Sequence, residues 1–152
     1  MKRPLLCAGV LTILSVSASL AAEPISVVID ELRCFHEPDV TDALEALHNE
    51  GFLVGDYEGM DGLSCWPLRE PIRIHGVDFT RLCAEHGDPY VIEAHPEIYW
   101  RAPGIGPGTG IKLLTRDKNA DSLRGNFGSE ALEIAPDDFY KDEIAVRCNP
   151  YP

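Results

Sequence analysis

Cys34, Cys65, Cys83 and Cys148 constrain the fold of this chain more than any other feature. A fifth cysteine, Cys7, sits in an N-terminal segment of the kind removed on export. Met1-Lys2-Arg3 gives that segment a cationic start, and Leu5 to Leu14 an apolar run broken only by Thr12. Ser19-Leu20-Ala21 then supplies the small residues of a cleavage site. This is the layout of a secretory signal peptide. The run falls short of the ~20 apolar residues of a membrane span. Residues 1–21 are therefore read as a signal peptide and 22–152 as one globular domain. The expected location is the periplasm or the medium, with no stable membrane insertion after cleavage.

An even set of cysteines in an oxidising compartment reads as two disulfides. Four cysteines allow three pairings, and we expect Cys65 with Cys83 and Cys34 with Cys148. The stretch between Cys65 and Cys83 looks like a compact excursion, and Cys34 and Cys148 fall at or just past the first and last expected strands. Catalytic-thiol and zinc–thiolate readings need reduced cysteines, which such a compartment does not favour.

The formal charge is −12, and it becomes −14 once Lys2 and Arg3 leave with the signal peptide. That balance disfavours nucleic acid and anionic membrane surfaces, both of which reward Lys and Arg. It suits a cationic protein partner, and it also serves solubility alone.

Ile25 to Asp30 is rich in β-branched residues and reads as a strand. Val40, Ala43, Leu44 and Leu47 recur at i, i+3, i+4 and i+7, which predicts an amphipathic helix from Pro38-Asp39 to Glu50. Asp39 can cap its free N–H groups, Gly51 can stop it, and His48 suits the negative end of its dipole. Phe52-Leu53-Val54 reads as a second strand, giving a β-α-β opening, with 58–64 as a loop. Pro71 to His75 reads as a strand and Phe79 to Glu85 as a short helix capped by Asp78. Tyr90 to Trp100 looks strand-like, bent at Pro96. The glycine-rich stretch 102–110 matches neither phosphate-loop nor dinucleotide spacing and reads as a connection. Ile111 to Arg116 alternates as a strand, and Ile144 to Cys148 reads as the last one. Ala131 to Ala135 fits a strand or one helical turn. The expected class is α+β: a single small domain with a five- or six-stranded mixed or antiparallel sheet. One amphipathic helix, one or two short helices and the two disulfides complete it.

Chemistry-bearing patterns are sparse. Asp117, Asn119 and Asp121 begin a calcium loop, but Ser122 stands where Gly is needed and Gly128 where the bidentate Glu belongs. His86 and His95, with His36, lie in or beside loops where they could converge with Glu85 or Glu97 on copper or zinc. No His-Glu-x-x-His or Gly-x-Ser-x-Gly is present. These are incomplete ligand sets, so the expectation is no catalytic residue, no cofactor and no tight metal site. Asp56, Tyr57, Glu58, Asp61, Trp66, Tyr99 and Trp100 instead combine aromatic side chains with a single sign of charge, a mixture suited to a protein interface. Trp66 and Trp100 would equally serve as core. The reading is a non-catalytic binding module for a cationic envelope protein, of the inhibitor or immunity kind. A small enzyme or metal carrier built on loop histidines, or a structural envelope component, are the alternatives.

Overall fold

The computed structural model describes residues 22–34, 39–60, 62–101, 109–127 and 130–149. Among them the chain is α+β, with four helices and one six-stranded antiparallel sheet. The helices are α1 (Ala22–Glu31), α2 (Thr41–Asn49), α3 (Pro89–Ala94) and α4 (Leu123–Phe127), the last preceded by a 3-10 turn at Ala120–Ser122. The strands are β1 (Glu58–Met60), β2 (Leu63–Ile74), β3 (Val77–Glu85), β4 (Gly110–Thr115), β5 (Leu132–Pro136) and β6 (Ile144–Cys148), in the order β1-β2-β3-β4-β6-β5.

Register places Trp66, Leu82, Leu113, Val146 and Ile134 opposite one another in one row across five strands. This face meets the apolar sides of α1 and α2, where Val28, Leu32, Leu44 and Leu47 have no exposed surface. Burial of this kind, at roughly 25 cal/mol per Å², is the main force holding helices to sheet. The opposite face carries the row Cys65, Cys83, Lys112, Arg147 and Glu133. There the 137–143 turn folds back over Leu114 and Ala145, with Tyr140 packed against them. Arg124 donates to the Leu132 and Ile134 carbonyls, so its guanidinium covers the outer edge of β5. Covered edges resist pairing with another chain.

Both expected disulfides are present, Cys34–Cys148 and Cys65–Cys83. The second joins directly opposed residues of β2 and β3. The first ties Cys34 (φ 58°), three residues past the end of α1, to the end of β6.

α2 follows its expected pattern, with Val40, Ala43, Leu44 and Leu47 buried. Asp39 Oδ1 accepts the Thr41 N–H at 2.9 Å. Gly51, at φ 67°, turns the chain after the helix. β4 and β6 also fall where alternation puts them, and Ala131–Ala135 resolves as the strand β5.

Five segments differ from the sequence reading. Ile25–Asp30 is helical, because Ile25, Val28, Ile29 and Leu32 also recur at helical spacing and that face packs on α2 and β4. Tertiary burial overrides the weak helix propensity of β-branched residues. The opening is thus α-α, and Phe52–Val54 contributes only an isolated bridge, Leu53 to Leu68. Residues 58–60, expected in a loop, form the short edge strand β1. Phe79–Glu85 is strand: His75 (φ 47°) and Gly76 (φ 84°) make a two-residue turn of the kind that joins antiparallel strands. Tyr90–Ala94 is helical because Asp88 Oδ1 accepts the Tyr90 N–H and Pro89 sits in the first turn, where its missing N–H costs nothing. Of the glycine-rich stretch, 102–108 lies outside the described residues, as do residues 1–21, His36 and Asp61.

Candidate functional site

The turn after α3 positions the side chains with most chemical potential. Ile98 and Tyr99 are buried and both donate N–H to the His95 carbonyl, so residues 95–99 close tightly. Trp100 N–H donates to Ser64 Oγ at 2.6 Å, and Tyr57 Oη donates to the Pro96 carbonyl at 3.2 Å. These ties fix the turn against β1 and β2.

On the inner side of the turn, His95 Nδ1 lies 2.5 Å from Glu45 Oε1 of α2 and 3.9 Å from Glu97 Oε1. Tyr99 Oη and Thr41 Oγ1 share a hydrogen bond of 2.9 Å, and the His86 ring stands 5.2 Å from that of Tyr99. Thr41's hydroxyl and N–H hold the Asp39 carboxyl below its ordinary range, and His86 and His95 add to this more weakly. Burial pushes the Tyr99 phenol up to about 12, with the Asp39 and Glu45 carboxylates contributing. The result is a cluster of acids, imidazoles and a neutral phenol. Among the described residues, no Lys or Arg forms an ion pair with Asp39, Glu45 or Glu97.

The fold therefore brings His86 and His95 to one site, together with Glu97. Glu85 is elsewhere, its carboxyl raised by burial and eased by Arg147 and Lys112. Glu45 was not a candidate from sequence. Its only local signal is its place one turn after Thr41 on the polar flank of α2. At Asp117, Asn119 and Asp121, Asp117 Oδ1 accepts the Asn119 N–H, and the chain then enters the 3-10 turn. Among the described residues, Glu45, His95 and Glu97 are the group whose ligand atoms converge, all within 4.8 Å of one another.

On the outer side, the aromatic residues divide. Trp66 has no exposed surface and Tyr99 only 2%, so both are core residues and not surface anchors. Tyr57 is half-buried, edge-on to Trp66 at 5.8 Å. Trp100 is half-buried over the backbone of β1: a Cβ on Gly59 would lie 2.6 Å from its ring. Asp56 and Glu58 are exposed beside them, with Glu58 Oε2 accepting from Tyr140 Oη. Arg81 reaches Glu58 at 3.7 Å from beneath, and Arg101 is paired with Glu93 at 2.9 Å.

No protein-family model, curated protein or solved structure matches the chain. Two disulfides fit an oxidising compartment. No helix of the described residues is long and apolar enough to cross a membrane.

Proposed function

We propose that the chain is an exported, acidic, disulfide-braced binding module that engages a cationic protein partner, of the kind an inhibitor or immunity protein would meet in a basic envelope hydrolase. The observation that carries this reading is the flank of β1. Tyr57 and Trp100 lie half-exposed there, with Asp56, Glu58 and Glu97 around them. Half-buried aromatic residues are preorganised anchors, because their rings are already held by the fold. The cations near them are already engaged by Glu58 and Glu93, so the uncompensated charge of this flank is negative. A charge of −12 over the chain extends the field and steers a basic partner toward it.

The test is association of the purified protein with a strongly basic cell-wall hydrolase, followed by stopped-flow at increasing salt. The expected outcome is an association rate that falls as the Debye length shrinks from ~30 Å at 0.01 M to ~8 Å at 0.15 M. Asp56→Asn with Glu58→Gln should slow association, and Trp100→Ala should speed dissociation. Binding that is absent, or that ignores salt and all three substitutions, overturns the reading.

A further inference from the structure

We propose that Glu45, His95 and Glu97 form a binding site for one divalent transition-metal ion of the zinc class, held by an imidazole nitrogen and two carboxylate oxygens. The site shares Glu97 with the partner-binding flank but rests on its own geometry and needs no partner.

Three observations carry it. First, two carboxylates converge on the same imidazole nitrogen, with the ligand atoms within 4.8 Å of one another. A histidine that only needed a structural partner would be satisfied by Glu45 alone. A second carboxylate oxygen 3.9 Å from the same nitrogen adds negative charge that a cation bound between the three groups would offset. Second, some carboxylates of the fold have a basic side chain against them, as Asp137 has Lys112 and Glu133 has Arg147. Here, with Asp39 also close, no Lys or Arg among the described residues plays that part. Third, the three ligands are mounted on constrained elements. Glu45 is on α2, His95 closes α3, and Glu97 sits in the turn pinned by Tyr57 and Trp100. Preorganised ligands bind metal without an ordering cost.

The chemistry selects the ion. Ligand atoms ~2.0–2.2 Å from a tetrahedral zinc stand roughly 3.4 Å apart. The spacings of 2.5 and 3.9 Å from His95 Nδ1 straddle that value, so small side-chain rotations suffice. Two carboxylates and a neutral imidazole balance a 2+ ion, with the Nδ1 lone pair on the metal and the ring hydrogen on Nε2. An imidazole in the set favours zinc over calcium or magnesium, which take oxygen ligands. Three protein ligands leave a fourth position for water or a small ligand.

Isothermal titration of the purified, disulfide-intact protein with zinc chloride, after chelator treatment and removal, tests the site. The expected result is one zinc per chain, and no comparable binding of calcium chloride. Glu45→Gln, His95→Gln and Glu97→Gln should each weaken zinc by about tenfold or more, as loss of a ligand from a three-residue set demands. Glu97 is exposed, so its variant keeps the fold and reads the site alone. His75→Asn, in the β2–β3 turn, should leave zinc binding unchanged. Absence of stoichiometric zinc, or zinc binding that survives both His95→Gln and Glu97→Gln, overturns the proposal.

Discussion

Asp137→Asn removes the charge that neutralises Lys112 inside the protein. Lys112 Nζ and Asp137 Oδ2 are 2.5 Å apart, and their side chains are only 10% and 2% exposed. The gross attraction at that distance is about 7 kcal/mol with an effective dielectric near 20. Most of it offsets the cost of withdrawing both charges from water. What the substitution exposes is the uncompensated ammonium, which costs about 3–5 kcal/mol when a buried pair is broken. Asparagine keeps Oδ1, which accepts the Phe139 and Tyr140 N–H groups, so the turn itself survives. Urea unfolding of the oxidised protein at neutral pH should therefore show a loss of about 3–5 kcal/mol with an unchanged slope. Lys112→Met combined with Asp137→Asn should recover most of it, since no charge is then stranded.

The same pair sets an acid limit. Burial raises the Asp137 carboxyl, but Lys112's hydrogen bond and charge and the Tyr140 and Phe139 N–H groups outweigh it and hold the group below its ordinary value of 3.8. A carboxyl lowered by folding stabilises above its unfolded pKa and loses that contribution as pH falls through the folded one. Wild-type stability should thus fall more steeply below about pH 4 than that of Asp137→Asn. A neutral-pH loss under about 1 kcal/mol, or identical acid profiles, would refute this account of the pair.

Gly59→Ala should displace Trp100, whose ring lies 2.6 Å from the new Cβ, and cost about 1–3 kcal/mol. Because Trp66 is fully buried, greater quenching of tryptophan fluorescence would report Trp100 alone, and unchanged quenching would contradict the contact. Cys65→Ala with Cys83→Ala opens a loop of sequence separation 18, and Cys34→Ala with Cys148→Ala one of 114. Chain entropy predicts losses of about 3 and about 5 kcal/mol respectively in thermal unfolding, and a reversed order would defeat that explanation. Ultraviolet titration should find the Tyr99 phenol ionising only near 12, a step lost in Tyr99→Phe, while Tyr140, also raised by burial, remains late in the variant. Because burial favours the neutral phenol, stability is fully present below the ordinary value of 10.0 and declines as pH rises from there toward 12. A Tyr99 that ionises at its ordinary value would contradict its burial.

Local patterns determined those elements whose apolar positions admit one reading. Val40, Ala43, Leu44 and Leu47 fit only a helix, and Ile111 to Thr115 only a strand, so both stand where periodicity puts them. The disulfides followed from an even cysteine count and from positions near element ends, although Cys34 follows a helix and not a strand. Ile25 to Leu32 admits two periods, and only packing against α2 and β4 chose the helical one. Asp78 looks like a helix cap within its own segment. The His75–Gly76 turn instead commits Val77–Glu85 to β2, and Asp78 meets Arg73 across the hairpin. The candidate site depended most on tertiary structure. Glu45 and His95 are 50 residues apart, and neither carries a motif. Burial of Ile98 and Tyr99 pulls the turn after α3 onto the helix that bears Glu45. Convergence of ligands over such a distance is a property of the packed core, which no spacing along the chain encodes.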